Sequence, residues 1–413
     1  MESMEMNCRF CNNNLEHVFI DFGKSPLANS YIKNEDLNKM EPFYPLRAFV
    51  CSKCFLVQLD EYESPKNIFT EYAYMSSYSE SMVKHVQNFV EESIERFHIN
   101  KNSQVVEIAS NDGYLLQFYK NNGIPCIGIE PALNVAEIAE KKGIKTITKF
   151  FSLQTAKELI DEGKVVNLLI VFNVLPHTPN LNDFVEGLKI ALEKDGIIVI
   201  QFSAYLLPFL QNIEFDTIYH EHFSFFSVYT LEKIFTSHGL VIFDVEEQSI
   251  HGGSMRIYLK HVANDSIKIS SSVTNQIKKE IEYGINDLST YMRFQERIDE
   301  LKSKIWKFFL DVKNENKIVV GYGAPAKGNT LLNYCGIDKN LLRYTVDINP
   351  YKQGRFLPGT QIPIYQPQKI FETKPDYILI LAWNLKDEIM KQMKEISQWG
   401  GRFVTLIPEV NIH

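Results

Sequence analysis

Two cysteine pairs, Cys8-x-x-Cys11 and Cys51-x-x-Cys54, have the spacing of chelating knuckles. A Cys-x-x-Cys turn sets two thiolates on one side of a tight loop. Two such turns supply the four ligands of a tetrahedral zinc, with Zn–S bonds of about 2.3 Å. Four thiolates leave no open coordination position, so the metal is expected to be structural. The interval between the pairs is longer than in a compact zinc ribbon, so a small subdomain must fold between them. Cys126 and Cys335 sit in or beside apolar stretches and read as core residues.

Histidines concentrate in two further segments, Asn173-Val174-Leu175-Pro176-His177 and Tyr219-His220-Glu221-His222-Phe223. A neutral imidazole, with an ordinary pKa near 6.5, is a fitting general base at neutral pH. Tyrosine hydroxyls and a second imidazole are donors for an oxyanion. One acid with a His-x-His pair is an incomplete ligand set, so base chemistry is the stronger reading there.

A third group of residues fits an adenosyl cofactor. The run Val105–Tyr114 passes from strand into turn, and Gly113 lets the backbone come close to a ligand. Glu130 ends the next strand about 20 residues later, where an acid holds ribose hydroxyls. It reads equally as a carboxylate at a helix N-terminus. Asn173 ends a later strand. The set suits S-adenosylmethionine, although the usual glycine-rich E-x-G-x-G-x-G is otherwise missing. Near the C-terminus, Gly321–Gly328 reads as a phosphate cradle with the Asn329–Asn333 helix start facing an anion and Lys327 adding charge. Lys327 precedes Gly328, so this is no Walker A loop; a bare tight turn is the alternative.

These residues need elements to position them. Strands are expected at 104–109, 125–130, 145–150, 166–174 and 197–202, with helices at 133–142 and 181–192 between them. Residues 240–245 and 255–262 suit a closing antiparallel pair. Short apolar strands alternating with helices imply a parallel sheet covered on both faces. After a charged helical stretch at about 266–313, strands at 317–321, 343–346 and 377–381 suggest a second, smaller sheet. The fold class is therefore α/β, divided at 1–75, 76–265 and 266–413.

A chain of 413 residues is too long for one ordinary core. Its hydrophobic content of 45% and charged content of 23% fit a globular protein. The net charge of -8 and the lack of a Lys/Arg stripe argue against nucleic acid, and against a zinc-ribbon RNA methyltransferase. No signal core or membrane-length apolar run is seen, so a cytoplasmic location is expected, with no membrane partner. A monomer is the working expectation.

Taken together, the chain resembles the sugar C-methyltransferases of deoxysugar pathways. The resemblance is carried by the two cysteine pairs, Ser25–Ser30, Tyr72–Ser79, Glu107–Leu116, Tyr219–Phe223, His251–Arg256, Gly321–Asn329 and Lys352–Gly359, in order along nearly the whole chain. It implies an N-terminal zinc-binding domain, a central Rossmann-like methyltransferase domain and a C-terminal, smaller doubly wound domain. The outer two would hold a nucleotide sugar. The implied reaction is methylation at carbon 3 of a dTDP-linked 4-keto deoxysugar. His222 would be the general base, with Glu221, Tyr219, His177, Tyr72 and Tyr74 lining the pocket. Glu221 would orient an imidazole or stabilise its charged form. Glu107, Asn111, Gly113, Glu130 and Asn173 would meet S-adenosylmethionine. His251, Gly323, Lys327, Asn329, Lys352 and Arg355 would meet the nucleotide sugar.

The chain departs from the family pattern at Pro176, Gln201, Ser203-Ala204-Tyr205 and Phe225, which bears on the sugar more than on the reaction class. An O- or N-methyltransferase acting on a sugar nucleotide or other small molecule would share fold and cofactor.

Overall fold

The computed structural model describes residues 6–66 and 75–413. Tyr72 and Tyr74 lie outside the described residues. Near the N-terminus, β1 (His17–Ser25), β2 (Tyr44–Val50) and β3 (Val57–Leu59) form an antiparallel sheet. The strands of the middle region are β4 (Val105–Ile108), β5 (Cys126–Ile129), β6 (Thr146–Ile147), β7 (Val166–Phe172) and β8 (Leu192–Phe202). Next, β9 (Ser224–Phe225) crosses over and pairs with β3, adding a fourth strand to the N-terminal sheet. The hairpin β10 (Leu240–Gln248) and β11 (Ser254–His261) then closes the central sheet.

The central order is β10-β11-β8-β7-β4-β5-β6, parallel from β8 to β6 and antiparallel at the hairpin. Val, Ile and Leu dominate β4 and β7 because both faces are covered, one core lying on each side. The connecting helices bury one stripe each: Leu133–Lys141 buries Val135, Ala136 and Ala139, at helical spacing. Ser79, Ser152 and Ser227 cap the helices Glu80–Arg96, Leu153–Asp161 and Val228–Ser237 by accepting from backbone N–H groups of their first turns.

Among the parallel strands of the central sheet, two expected ranges differ by more than two residues. The one at 145–150 shrinks to Thr146–Ile147, because it is the sheet edge with one neighbour and Phe150 is exposed. The one at 197–202 instead begins at Leu192, directly after the helix Leu181–Ala191.

The C-terminal strands are β12 (Val319–Tyr322), β13 (Thr345–Val346), β14 (Ile364–Tyr365), β15 (Tyr377–Ile380), β16 (Arg402–Thr405) and β17 (Asn411–Ile412). Their order, β14-β13-β12-β15-β16-β17, is parallel except at β17. This is a Rossmann-type 3-2-1-4-5 order, with its switch point between β12 and β15. Helices Ser271–Tyr283, Leu288–Met292 and Phe294–Asn314 lead into it. Buried Glu280 anchors the first of these helices, accepting from the Tyr205 hydroxyl at 2.9 Å and from the N–H groups of Val228 and Tyr229 at 2.9 and 2.8 Å.

One hydrophobic core joins the N-terminal sheet, the helix Phe294–Asn314 and the C-terminal sheet: Phe19, Leu46, Phe294, Leu332 and Leu379 all belong to it. The first and last parts of the chain therefore pack together, on the side where β9 crosses. Among the described residues, no helix is long and apolar enough to cross a membrane.

Candidate active site and metal centre

The two cysteine knuckles fold alike. Asn12 N–H donates to the Cys8 carbonyl and Phe55 N–H to the Cys51 carbonyl, each at 2.9 Å. Asn12 and Phe55 follow the second cysteine of each pair, and both take left-handed φ, 57° and 63°. For a bulky residue such as Phe55 that conformation is costly, so the surrounding structure must impose it. The four sulfurs lie within 4.8 Å of one another, with Cys8–Cys54 at 3.6 Å and Cys11–Cys51 at 3.5 Å. A tetrahedron of 2.3 Å Zn–S bonds has edges of about 3.8 Å, so the set fits zinc. Among the described residues it is the single group of three or more His, Cys, Asp or Glu side chains with such geometry. Cys335 is buried and Cys126 half-buried, and neither joins it.

The loop after β4 is built from alternating left-handed residues: Ala109 (φ 53°), Asn111 (φ 49°) and Gly113 (φ 74°). Glu130 binds it together. Its Oε2 accepts from Asn111 N–H and its Oε1 from Ala132 N–H, each at 2.9 Å. The carboxylate thus does what the helix-N-terminus alternative required, and each oxygen keeps a lone pair for a hydroxyl donor. Gly113 is needed for packing, because a Cβ there would lie 2.4 Å from Ile144 Cδ1. Asn111 Oδ1 accepts from Ser76 N–H at 3.0 Å.

At the same sheet edge, Glu107 Oε2, Asp112 Oδ1 and Asn173 Oδ1 are buried with no hydrogen-bond partner among the described residues. Burial, with Glu130 and Asp112 nearby, pushes the Glu107 carboxyl well above its ordinary range. Unmet polar atoms gathered at the carboxyl ends of β4 and β7 are what a polar cofactor would satisfy. These residues therefore fit S-adenosylmethionine.

Across the same rim lie the histidines. His222 is buried, and its Nδ1 is 2.8 Å from the Thr217 carbonyl oxygen. A carbonyl only accepts, so the proton is on Nδ1 and Nε2 carries the lone pair. The Tyr219 hydroxyl donates to that Nε2 at 2.9 Å. His177 lies in the turn Leu175–His177, which includes Pro176, and its ring is 4.9 Å from that of His222. Its Nδ1 donates to the Glu221 backbone carbonyl at 2.7 Å. Burial pushes His177 down to about 4 and His222 well below its ordinary value, so both are neutral at pH 7.

The Glu221 side chain does not orient either imidazole. It accepts from Asn29 Nδ2 at 2.6 Å, and burial pushes it up to about 7. His220 turns away, to the Pro45 carbonyl at 3.1 Å.

In the C-terminal loop, part of the backbone expected to face an anion is taken up within the protein. Gly323 N–H donates to Val346 O and Ala324 N–H to Asp347 Oδ2, each at 2.7 Å. The Ala324 carbonyl accepts from Lys352 Nζ at 2.8 Å and Tyr31 OH at 2.5 Å. Asn329 donates to the Ala28 carbonyl at 2.6 Å, and Thr330 to the Ile218 carbonyl at 2.9 Å. Lys327 Nζ is 3.1 Å from Asn384 Oδ1. His251 falls in the turn Ile250–Gly252. Arg355 stacks on Tyr351 at 3.9 Å, and among the described residues no contact brings it to the histidines.

The sequence reading gave no role to Asn29, Tyr31, Asp216, Thr217, Asp347 or Trp383. Asn29 lay inside a stretch carrying the resemblance, the one signal available for it. Gln201, where the family pattern has an acid, accepts from buried Arg256 at 3.0 and 3.1 Å and is 2.9 Å from His85 Nε2.

Known protein families match this chain in three blocks. A zinc binding domain covers residues 8–69, a methyltransferase domain 82–245, and a C-methyltransferase C-terminal domain 249–408. The C-methyltransferase NovU of Streptomyces niveus is 34% identical over 405 residues, covering 98% of this chain and 96% of that one. The chain belongs to this C-methyltransferase family. It is an S-adenosylmethionine-dependent methyltransferase with a zinc-binding N-terminal domain.

Solved structures resemble a smaller part. A methyltransferase of Anabaena variabilis is 18% identical, covers 43% of this chain and 85% of its own, and has a TM-score of 0.35. Magnesium protoporphyrin IX methyltransferase of Synechocystis with bound S-adenosylhomocysteine is 13% identical, covers 43% and 82%, and also scores 0.35.

Proposed function

We propose that this C-methyltransferase methylates the carbon beside the ketone of a nucleotide-linked 4-keto deoxysugar, at carbon 3, in branched-sugar biosynthesis. The observation that carries the reading is the neutral His222 imidazole, its Nε2 lone pair facing Tyr219 and its ring beside His177. A carbon can be methylated at this site only once it has been made nucleophilic, and a C–H beside a carbonyl is acidic enough for an imidazole to do that.

In this mechanism the substrate displaces the Tyr219 hydroxyl from His222 Nε2. His222 then takes the proton, the C–H pair becomes a C=C bond, and the charge moves to the ketone oxygen. The displaced Tyr219 hydroxyl is placed to donate to that oxygen, whereas His177, its one proton held on Nδ1 by the Glu221 carbonyl, packs beside the site. S-adenosylmethionine, when bound, supplies the electrophilic methyl carbon. Held by Glu107, Asn111, Gly113, Glu130 and Asn173, it would give that methyl to the enolate carbon, with the S–CH3 electron pair left on sulfur. Thr217 holds the His222 tautomer throughout, and the Glu221 carbonyl holds that of His177.

The site is enclosed by Asn29 from the N-terminal part and by Ala324, Lys327 and Lys352 from the C-terminal part. That supports a substrate long enough to touch all three. Cysteines gathered for zinc instead of paired in disulfides fit a cytoplasmic site of action. The test is incubation with S-adenosylmethionine and a panel of nucleotide 4-keto sugars, read by mass spectrometry and carbon NMR. The expected product carries one new methyl on the carbon beside the ketone. A methyl found on oxygen or nitrogen would overturn the reading.

A further inference from the structure

Asp216 lies three residues before Tyr219 and six before His222. It is buried, and its Oδ2 accepts from Trp383 Nε1 at 2.7 Å. Trp383 opens the turn that follows β15, at the carboxyl end of the C-terminal sheet. One face of its ring carries the Lys327 ammonium, 4.2 Å from the centroid. The ring also meets the glycine turn of the central hairpin, because a Cβ on Gly252 would lie 2.8 Å from Trp383 Cζ3.

The Lys327 ammonium is held by an indole face and by the neutral Asn384 amide, and it forms no ion pair among the described residues. Of the nearby acids, Asp216 places Oδ2 on the indole and leaves Oδ1 without a hydrogen-bond partner among the described residues, and Glu214 accepts from Asn212 at 3.0 Å. Their charge reaches Lys327 from a distance, as the Lys327 charge reaches His222. A half-buried ammonium that forms no salt bridge with a carboxylate is available to an anion brought by a ligand. Left alone, a lysine side chain with four rotatable bonds would spread over many rotamers.

We propose that Asp216 is a positioning residue: through Trp383 it fixes the Lys327 ammonium at the histidine site, where the ammonium takes the diphosphate of the substrate. The bond from Asp216 to the indole ties the segment carrying Tyr219 and His222 to the C-terminal sheet. The phosphate contact and the base are thereby held at one separation. The proposal rests on the nucleotide-sugar reading above.

The test measures binding by calorimetry, with thymidine, uridine, cytidine and guanosine diphosphates and, separately, S-adenosylhomocysteine as probes. The wild type is expected to bind at least one nucleoside diphosphate; binding of none overturns both the reading and the proposal. Lys327→Met should weaken that binding about ten- to hundredfold, the value of a charge-assisted hydrogen bond. Asp216→Ala and Trp383→Phe should weaken it about tenfold. Asp216→Asn keeps an acceptor for the indole and should stay within about threefold of wild type. All variants should bind S-adenosylhomocysteine as the wild type does. Normal nucleotide affinity in Lys327→Met would remove Lys327 from the substrate site. A loss in Lys327→Met with none in Trp383→Phe would overturn the positioning role alone, as would equal losses in Asp216→Asn and Asp216→Ala. Should Asp216→Ala fail to fold, the Trp383→Phe and Asp216→Asn pair decides the matter.

Discussion

At the scale of single residues, His222 differs from an ordinary surface histidine in two ways. Thr217 sets its tautomer, and burial keeps it neutral. If it is the base, His222→Asn should lose methylation by roughly a hundredfold to ten-thousandfold, the usual worth of general base catalysis. It should also lose exchange of the substrate's acidic C–H for deuterium, measured by NMR in deuterated water without methyl donor. S-adenosylhomocysteine should still bind. Full methylation by this variant would reject the assignment, and the same collapse in His177→Asn alone would move the role there.

Glu214 offers a second test at this scale. Burial raises it from 4.5 to about 7. The folded state therefore holds its proton more tightly than the unfolded chain does. The stability this contributes is full below about pH 4.5 and is lost as pH rises through about 7. Glu214→Gln keeps an acceptor for Asn212 but cannot ionise. Between pH 5 and 8 the variant should lose less stability than the wild type, by on the order of 1–3 kcal/mol in denaturant unfolding. Parallel pH profiles would show that Glu214 does not titrate in this window.

At the scale of elements, the loop after β4 is a strained turn tied down by one carboxylate. Left-handed Ala109 and Asn111 cost about 1–2 kcal/mol each and persist only where neighbours hold them. Glu130→Ala releases the N–H groups of Asn111 and Ala132 and removes the ribose contact together. S-adenosylhomocysteine affinity should fall by about 1.5–3 kcal/mol in calorimetry. Glu130→Gln keeps one acceptor and should lie between that variant and the wild type. Unchanged affinity in Glu130→Ala would take Glu130 out of the cofactor site.

At the scale of the whole molecule, the outer two parts of the chain share a core and close over the central sheet. Four thiolates would leave a zinc no open position for chemistry, yet the N-terminal domain they hold together presents Asn29 to Glu221 and Tyr31 to Ala324. Chelation, or Cys51→Ser, should therefore lower the melting temperature by at least about 5 °C, because structural zinc contributes folding energy directly. Methylation should fall with it, while S-adenosylhomocysteine binding by the central sheet should survive in part. A native preparation without zinc by elemental analysis, yet fully active, would contradict this.

Local signals were legible in the sequence for a physical reason: each is set by neighbours in the chain. Cys-x-x-Cys spacing implies a knuckle, apolar runs of four to seven residues imply buried strands, and helical spacing at Val135, Ala136 and Ala139 implies a buried stripe. The cysteine cluster, the parallel central sheet and the smaller C-terminal sheet all followed from such patterns. Contacts between distant segments were not legible, because no pattern of neighbours encodes which partner a side chain meets. Glu221 was expected to serve an imidazole, and tertiary packing gave its carboxylate to Asn29, 192 residues away. The loop Gly321–Gly328 looked like an anion cradle, and the fold brought Asp347 onto its Ala324 N–H. Asp216 and Trp383, 167 residues apart, became partners only when the C-terminal sheet docked beside the histidine segment. Patterns local to the chain were enough to point to four zinc ligands and a cofactor-type sheet, and the resemblance pointed to His222 as a candidate base. Which groups keep the His222 imidazole neutral, and which hold the Lys327 ammonium, follows from packing, since burial and long-range hydrogen bonds exist only once the three sheets have met.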